Sequence, residues 1–457
     1  MKKLVYFLGI GGIGMSALAR YFRHAGAFVA GYDRCPSPLT AALEQEGIPV
    51  HYDDNPSAIP AAVLEQPAAT LVIYTPALPS DHKELAFLQE QGYHIIKRSK
   101  ALGEIAATKH CLAVAGTHGK TTTSTLLAHI FAHSGAGCTA FLGGISKNYQ
   151  SNLLLSHSPW LVAEADEFDR SFLQLHPQKA IITATDADHL DIYGTAQAFS
   201  QAFVDFATQI QPGGALVLKA GIDLPLPADR PYSLYRYALD QVLDFYADAL
   251  QVQEDGCYNF TLHLQDIQLP LCHLGIPGLV NVENAVAAAA LAFLSGIPPQ
   301  SIANALTAFR GVARRFDIQY NHKGRLYIDD YAHHPTEIRA ALGSIRKMFP
   351  GRSITAIFQP HLYSRTRDFA QAFGDSLSLA DKLILLPIYP AREEPIEGIS
   401  SEMLLEKVTI LQKIFVNKDK LLPCLRQQPI DILVSLGAGD IDRFVPQIVK
   451  LLEETAA

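Results

Sequence analysis

The stretch that decides the fold is CLAVAGTHGKTTTSTLLAHI, residues 111–130. Its apolar first part, residues 111–115, predicts a buried strand, and residues 124–130 predict a helix. The turn between them is Gly116-Thr117-His118-Gly119-Lys120-Thr121-Thr122. A glycine-rich turn into a helix N-terminus gathers backbone N–H groups around a phosphate, and Lys120 adds a positive charge. We therefore predict a phosphate-binding loop, with the Thr121 hydroxyl directed at a magnesium ion.

The glycine spacing of this loop differs from the general pattern G-x-x-x-x-G-K-[ST], because position 114 is Val. That pattern alone would miss the loop. The alternative is an ordinary strand-to-helix turn that contains glycine. The strand and helix context, with lysine and consecutive threonines at the helix start, favours phosphate binding.

Length and charge limit the class of protein. A chain of 457 residues predicts about three domains. The net charge of −8, with Lys and Arg scattered, argues against a nucleic-acid surface and against an anionic-membrane anchor. Six widely spaced cysteines without a C-x-x-C pair predict reduced thiols. The aliphatic run 285–294 is too short to span a bilayer, and no signal peptide is evident, so we expect a cytoplasmic protein.

The N-terminal segment has a second glycine motif, Gly9-Ile10-Gly11-Gly12-Ile13-Gly14, after the apolar residues 4–8. A second predicted strand, residues 27–32, ends at Asp33, which stands near the position of a ribose-binding carboxylate. Further strands at 70–75 and 94–96 alternate with helices and predict an open parallel sheet. Taken alone, this motif suggests NAD. Asp33 can equally be a solvated acid at the end of a strand.

Two acidic clusters follow the phosphate loop, at residues 164–169 and 186–191, each after a predicted strand. Because ligands of an open parallel sheet bind at the carboxyl ends of its strands, both clusters should face the phosphates. Carboxylates there can hold magnesium. The residues do not decide which member of each cluster is the ligand. Residues 212–274 have short β-like runs that we interpret as an extension of the same sheet.

A third α/β unit follows residue 316, with strands predicted at 326–328, 354–358, 382–386 and 432–436. A polar loop, residues 329–337, separates its first strand from a helix that begins at Pro335. Because the adjacent His333 and His334 point apart, ligand binding or helix capping is favoured over a zinc pair. A second loop, residues 359–367, has cationic groups suited to carboxylates. Solvated arginines are the alternative, less so for Arg365 than for Arg367.

The chain resembles the ATP-dependent Mur ligases over essentially its whole length. The resemblance rests on five segments in the right order: residues 9–14, 116–122, 164–169, 188–191, and 329–337 with 359–366. The resemblance implies α/β domains for the UDP moiety (1–105, Rossmann-like), for ATP (106–313, P-loop ATPase-like) and for the amino acid (314–457, Rossmann-like). It also implies that residues 9–14 hold the UDP portion of a sugar nucleotide rather than NAD.

The resemblance further implies an activity: ATP-dependent ligation of L-alanine to the carboxylate of UDP-N-acetylmuramate through an acyl phosphate, in peptidoglycan precursor synthesis. The implied cofactors are ATP and Mg²⁺, and the implied partners are these two small substrates, with no nucleic acid and no membrane. We expect a monomer or weak homodimer. No lysine lies between Lys179 and Lys219, which departs from sister ligases that use a carbamylated lysine there.

The resemblance assigns residues to each ligand. ATP would be held by Gly116, Thr117, His118, Gly119, Lys120, Thr121, Thr122, Asn281, Asn284 and Arg315. The UDP-sugar would be held by Gly9, Gly11, Gly12, Ile13, Gly14, Asp33 and His189, the amino acid by Tyr331, His333, His361 and Arg365, and the metal by Thr121, Glu164 and His189. Catalytic roles fall to Lys120, His333 and Arg365, with His333 or a carboxylate as the base for the attacking amine.

Three alternatives remain at this stage. A related ligase adds the recycled tripeptide L-Ala-γ-D-Glu-meso-diaminopimelate to the same sugar nucleotide. An NAD-dependent oxidoreductase built on residues 9–14 would leave Lys120 and the acidic clusters without a purpose. A regulatory P-loop switch would bind nucleotide and release ADP without an acceptor.

Overall fold

A computed structural model describes residues 3–186, 190–391 and 393–455. The chain forms two compact units, the first made of residues 1–250, 260–275 and 283–310, and the second of residues 251–259, 276–282 and 311–457. The predicted second acidic cluster, and His189 with it, falls largely outside the described residues. The domain boundaries at 105 and 313 remain a prediction.

The N-terminal sheet of the first unit has five parallel strands in the order β3-β2-β1-β4-β5. The open parallel sheet predicted from residues 4–96 is therefore confirmed. Its strands are β1 Leu4–Leu8, β2 Phe28–Tyr32, β3 Val50–His51, β4 Thr70–Tyr74 and β5 His94–Lys97, and its helices are α1 Ile13–His24, α2 Pro38–Gln45, α3 Ala61–Leu64, α4 Lys83–Glu90 and α5 Arg98–Ala106.

The second sheet has ten strands in the order β15-β14-β13-β12-β11-β10-β6-β9-β7-β8, so the runs after residue 212 do extend the central sheet as predicted. The strand before the phosphate loop, β6, is parallel to both neighbours, β9 and β10. Its strands are β6 His110–Ala115, β7 Thr139–Ser146, β8 Ser151–Leu154, β9 Trp160–Ala165, β10 Lys179–Ile182, β11 Ala215–Lys219, β12 Ser233–Leu239, β13 Phe245–Val252, β14 Tyr258–Leu264 and β15 Ile267–Leu274. The helices are α6 Lys120–His133, α7 Leu190–Tyr193, α8 Ala196–Thr208, α9 Leu279–Leu294 and α10 Pro299–Ala308.

The third sheet, in the second unit, has the order β16-β17-β21-β18-β19-β20. The four predicted strands form its interior, and two edge strands were not predicted: β16, which is antiparallel and polar, and β20, which is short. Its strands are β16 Asp317–His322, β17 Arg325–Asp330, β18 Ile354–Phe358, β19 Lys382–Leu385, β20 Gln412–Phe415 and β21 Ile432–Leu436, and its helices are α11 Pro335–Met348, α12 Tyr363–Asp368, α13 Ala370–Leu377, α14 Ser401–Lys407, α15 Leu421–Arg426 and α16 Val445–Glu454.

One apolar core runs through the first unit from the N-terminal sheet to the central sheet, with Phe22, Leu102 and Phe141 among its members. Helix α6, which follows the phosphate loop, is buried along most of its length. A helix that is enclosed on all sides cannot rotate or slide without opening the core. The packing therefore fixes where the first turn of α6 points.

Candidate active site

The phosphate loop leaves the carboxyl end of β6 at Gly116 and enters α6 at Lys120. Gly116 and Gly119 have φ values of 133° and 79°, which disfavour any residue with a side chain. A Cβ on Gly116 would lie 2.2 Å from the Thr183 Oγ1, and one on Gly119 would lie 2.6 Å from the Asn284 Oδ1. Both glycines are therefore required by local packing as well as by backbone conformation.

Lys120 is the charged centre of this loop. Its Nζ donates to the Gly116 carbonyl oxygen at 2.6 Å and pairs with the Glu167 carboxylate at 2.7 Å. Burial opposes the charged form, but the carboxylates of Glu167, Asp166 and Glu164 outweigh it and raise the Lys120 pKa. For Glu167, burial also disfavours the charged form, and it therefore raises the pKa of this carboxyl group to about 7. The lysine consequently keeps its proton at neutral pH.

Two of the three predicted metal ligands, Thr121 and Glu164, lie close together beside Lys120. The Thr121 Oγ1 lies 3.2 Å from the Glu164 Oε1. Two adjacent oxygen ligands of an octahedral Mg²⁺ with bonds of 2.0–2.1 Å stand about 3 Å apart, so this pair fits one magnesium ion. Among the described residues no group of three or more His, Cys, Asp and Glu side chains forms a metal site.

Gly143 on β7 leaves the space that the Glu164 carboxylate occupies. A Cβ at this position would stand 2.3 Å from both carboxylate oxygens. The prediction from sequence missed Gly143, because neither its spacing nor its neighbours mark it. Glu167 lay within the predicted acidic cluster, but only the structure shows that it is the partner of Lys120.

Other predicted ATP residues surround the loop or lie in the second unit. The Thr117 N–H donates to the Ala184 carbonyl oxygen, and the His118 Nε2 stands 3.6 Å from the Asp186 carboxylate. Asn284 accepts a hydrogen bond from the Thr123 hydroxyl, which places its amide beside Gly119. In the second unit, the Asn281 side chain donates to the Pro277 carbonyl oxygen.

The N-terminal glycine motif forms a tight loop after β1. A Cβ on Gly9 would lie 2.5 Å from the Thr75 side chain, and one on Gly14 would lie 2.9 Å from the Arg98 guanidinium. The Asp33 carboxylate accepts a hydrogen bond from the Gly11 N–H at 2.7 Å. Asp33 thus holds the loop itself, a role that the sequence did not indicate.

A cavity of about 300 Å³ extends from this loop to Glu164, one of the predicted metal ligands. Its walls include Gly12, Ile13 and Gly14 from the N-terminal sheet region and Gly143 and Glu164 from the central one. The same cavity is therefore lined by the glycine loop on one side and by the Glu164 carboxylate on the other.

The second unit contains the predicted amino-acid residues around His333, in the loop after β17. Its Nδ1 lies 3.0 Å from the Tyr331 carbonyl oxygen, and the Glu337 carboxylate accepts from the His333 N–H. Burial lowers the His333 pKa to about 4. The Glu337 carboxylate only partly offsets this effect of burial, and the positive charge of Arg365 lowers the pKa further. The Nδ1 contact assigns the proton to that nitrogen and leaves Nε2 as the acceptor.

The loop after β18 brings further predicted residues to His333. The His361 ring is 5.9 Å from the His333 ring and stacks on Tyr389, which the sequence prediction missed. Arg365 is buried. The Arg315 guanidinium lies over the Tyr331 ring at 4.8 Å. Ring contacts thus group Tyr331, His333 and His361, and Arg365 is near enough to lower the His333 pKa.

His334 has a separate role. Its side chain caps α11 by accepting from the Thr336 N–H, and Glu337 completes a capping box. The two adjacent histidines therefore have different partners, His333 the Tyr331 carbonyl oxygen and His334 the first turn of α11.

Comparison with known proteins decides the family. Family models match three consecutive regions: "Mur ligase family, catalytic domain" at residues 4–110, "Mur ligase middle domain" at 114–292 and "Mur ligase, glutamate ligase domain" at 314–439. The chain belongs to the Mur ligase family. The three-domain α/β architecture and the family predicted from the motifs are confirmed.

Relatives of this Mur ligase align over nearly all of both chains. UDP-N-acetylmuramate–L-alanine ligase of Porphyromonas gingivalis is 50% identical, with 99% of each chain covered. The enzyme of the same name from Parabacteroides distasonis is 48% identical, covering 98% of this chain and 97% of its own. The crystal structure of the UDP-N-acetylmuramate–alanine ligase of Thermotoga maritima superposes with a TM-score of 0.81 at 28% identity, covering 99% of each chain.

A murein peptide ligase from Psychrobacter arcticus superposes less well, with a TM-score of 0.71 at 24% identity over 98% of each chain. That likeness shows the shared fold alone. Within the part of the Mur ligase chain that the structure describes, no helix combines the length and apolar character needed to cross a bilayer.

Proposed function

We propose that this Mur ligase joins L-alanine to the carboxylate of UDP-N-acetylmuramate at the expense of ATP. The observation that carries the proposal is 48–50% identity, over the full chain, to ligases with that specificity. A charged lysine in a phosphate loop, beside a hydroxyl and a carboxylate, supports the ATP-dependent chemistry.

Amide formation in water needs an activated carboxylate. The muramic acid carboxylate takes the γ-phosphoryl group of ATP, which breaks the bond to ADP and forms an acyl phosphate. The alanine amine then attacks the acyl carbon, and phosphate leaves. Such a transfer depends mainly on in-line positioning and on neutralising charge, and the buried ammonium of Lys120 is held where it supplies a positive charge.

Thr121 and Glu164 are the residues that would hold Mg²⁺, by the oxygen separation given above. A magnesium ion held by these residues would supply positive charge that reduces the negative charge of the ATP phosphates. Gly143 keeps the Glu164 carboxylate in place, and Glu167 keeps Lys120 near the Gly116 carbonyl oxygen. His189, the third predicted ligand, lies outside the described residues and stays a prediction.

The sugar nucleotide would place its diphosphate on the loop of residues 9–14, where backbone N–H groups at the start of α1 favour anions. Asp33 shapes this loop through the Gly11 N–H. The cavity lined by Gly12, Gly14 and Glu164 then gives the muramic acid group a route toward the phosphate loop.

L-Alanine would bind to the cluster of Tyr331, His333, His361 and Arg365, with the Arg365 guanidinium as the partner of its carboxylate. The attacking amine must lose a proton. The neutral His333 imidazole has an acceptor at Nε2, although its lowered pKa makes it a weak base. We place the reaction in the cytoplasm.

The experiment is phosphate release with ATP, Mg²⁺ and UDP-N-acetylmuramate, testing L-alanine, glycine, L-serine and the tripeptide L-Ala-γ-D-Glu-meso-diaminopimelate separately. We expect release with L-alanine at a kcat/KM well above that of the others. Release with the tripeptide alone would replace the proposal by the recycling ligase. Acceptor-independent release of ADP would instead indicate a nucleotide switch.

A further inference from the structure

The two sheets of the first unit are joined by a buried polar contact at Asn152 on β8. Strand β8 is an edge strand of the central sheet, next to β7. The side-chain amide of Asn152 contacts α1, the helix that follows the N-terminal glycine loop. Asn152 and Ser16 are both fully buried. No motif in the sequence marks Asn152, and the chemistry described above does not use it.

The Asn152 amide holds the first turn of α1 by both of its donors. Its Nδ2 donates to the Ile13 carbonyl oxygen at 2.6 Å and to the Ser16 hydroxyl at 2.9 Å. Its Oδ1 accepts from the Arg20 Nη1 at 2.6 Å, one helical turn further along. The remaining nitrogens of Arg20 bind the Glu46 carboxylate at 2.7–2.9 Å. We call Asn152, Ser16, Arg20 and Glu46 the α1 clamp.

The α1 clamp fixes the position of α1 along the β7–β8 hairpin, which apolar packing alone does not determine. The Tyr21 ring of α1 packs against Phe141 of β7 with ring centroids 5.5 Å apart. Apolar burial scales with area and is non-directional, so it resists separation more than sliding. Hydrogen bonds need alignment, and a buried polar group that loses its partner destabilises the fold. The clamp therefore sets the register of α1 along the β7–β8 hairpin.

That register determines the cavity. Ile13, whose carbonyl the clamp holds, lines it together with Gly14, and β7 contributes Phe141, Leu142 and Gly143 to the same wall. Gly143 in turn lies directly against the Glu164 carboxylate, which occupies the space that a side chain at position 143 would need. A shift of α1 along β7 would change the distance between the glycine loop and the metal ligands while leaving each of them intact.

We propose that Asn152 is a positioning residue for phosphoryl transfer, which sets the span between the diphosphate on residues 9–14 and the γ-phosphate at Lys120. This inference rests on the proposed function, because it assigns the two ends of the cavity to the two substrates. The clamp contributes no group to the reaction. A misplacement of about 1 Å is enough to reduce the rate of a positioned reaction about 10²-fold.

The test compares the N152L and N152D variants with wild type. N152L removes all three contacts, whereas N152D keeps an acceptor for Arg20 but loses both donors to α1. We expect kcat for L-alanine-dependent phosphate release to fall at least tenfold in both variants. The dissociation constants of UDP alone and of an ATP analogue alone, measured by calorimetry, should stay within twofold, because each ligand uses one side of the cavity.

A matched control is T70V, which removes a buried hydroxyl bonded to the Gln66 carbonyl oxygen within the N-terminal sheet region. It should lower thermal stability without changing kcat. A T70V variant that loses kcat to the same degree as N152L would show that general destabilisation explains the effect, and would overturn the proposal.

Two further outcomes would also overturn it: a kcat of N152L within twofold of wild type, or a loss of UDP affinity as large as the loss of kcat, which would mean that Asn152 only shapes the glycine loop. Wild-type enzyme that shows no L-alanine-dependent phosphate release would count against the proposed function instead. The two failures are therefore distinguishable.

Discussion

The phosphate loop of the first unit and the histidine cluster of the second each bury an ionisable side chain after a parallel strand, with opposite results. Lys120 has three carboxylates near it, and they raise its pKa despite burial. For His333, burial is opposed by the Glu337 carboxylate but reinforced by the cations of Arg365 and Arg315, and the pKa falls to about 4. Burial alone does not decide a charge state. The number and sign of the neighbouring charges decide it.

This difference suits two kinds of chemistry. A permanent positive charge is useful where negative charge accumulates on a transferred phosphoryl group. A neutral imidazole is useful where a proton must be accepted. The four predictions below test the comparison, from the largest expected effect to the smallest.

The charge of Lys120 is the first point to test. We expect K120M to reduce kcat for phosphate release about 10³-fold, as for loss of a preorganised electrostatic contact in an active site. The matched control is K179M, a lysine at the far end of the neighbouring strand β10 that lies over the Trp160 ring. Equal losses of kcat in K120M and K179M would contradict the assignment of Lys120 to the active site.

The placement of Glu164 comes next. G143A should displace the Glu164 carboxylate, because the added Cβ would lie 2.3 Å from both oxygens. We expect about a 10²-fold loss of kcat and a higher Mg²⁺ requirement in a magnesium titration. G343A, in α11, is the control, since no atom lies within 4 Å of its added Cβ. A G143A enzyme with the wild-type magnesium dependence would contradict the assignment of Glu164.

The neutral imidazole is tested by H333A. We expect kcat to fall about tenfold, below the usual 10²–10⁴ of general-base catalysis, because an imidazole with so low a pKa is a weak base. The control is H334N, which keeps an acceptor for the cap of α11. Near-normal turnover of H333A with an unchanged pH dependence would exclude His333 as the base.

A second buried histidine extends the comparison to stability. His129 on α6 contacts the Tyr149 hydroxyl and the Ala305 carbonyl oxygen, and burial lowers its pKa to about 4. Between pH 6.5 and about 4, His129 is protonated in the unfolded chain but stays neutral in the folded chain. The free energy of unfolding should therefore fall as the pH drops through this window, by up to about 3 kcal/mol from His129.

The measurement is denaturant unfolding of wild type and H129Q at several pH values. The H129Q variant is expected to be less stable at pH 7 but to lose less stability on acidification. The difference between the two curves isolates His129 from Glu167, whose raised pKa acts in the opposite direction. Parallel curves would show that the pKa of His129 is the same in the folded and the unfolded chain, which would contradict the prediction.

Much of the site followed from local sequence. The run of residues 111–130 predicted strand, loop and helix in the right order, because each depends on neighbouring residues and on glycine at two turn positions. The loop of residues 9–14 was predicted for the same reason. Thr121 was predicted as a magnesium ligand from the loop itself and Glu164 from the family resemblance, and the two side chains lie together in the structure.

Other contacts depend on residues far apart in the chain. Gly143 matters only because β7 and β9 are neighbours, which sets it beside Glu164. Asn152 matters only because α1 packs on β8 across 136 positions of sequence. The edge strands β16 and β20 were missed because an edge strand keeps little of the apolar pattern that marks a buried one.

The family, the α/β elements and the phosphate loop follow from the amino-acid sequence, since they depend on ordered local motifs and on the alternation of apolar runs. Three features follow from the folded structure alone: the acid that pairs with Lys120, the glycine that makes room for Glu164, and the neutral state of the His333 imidazole. The physical reason is that a charge state and a free space are properties of the surroundings of a side chain. Residues distant in the sequence supply those surroundings.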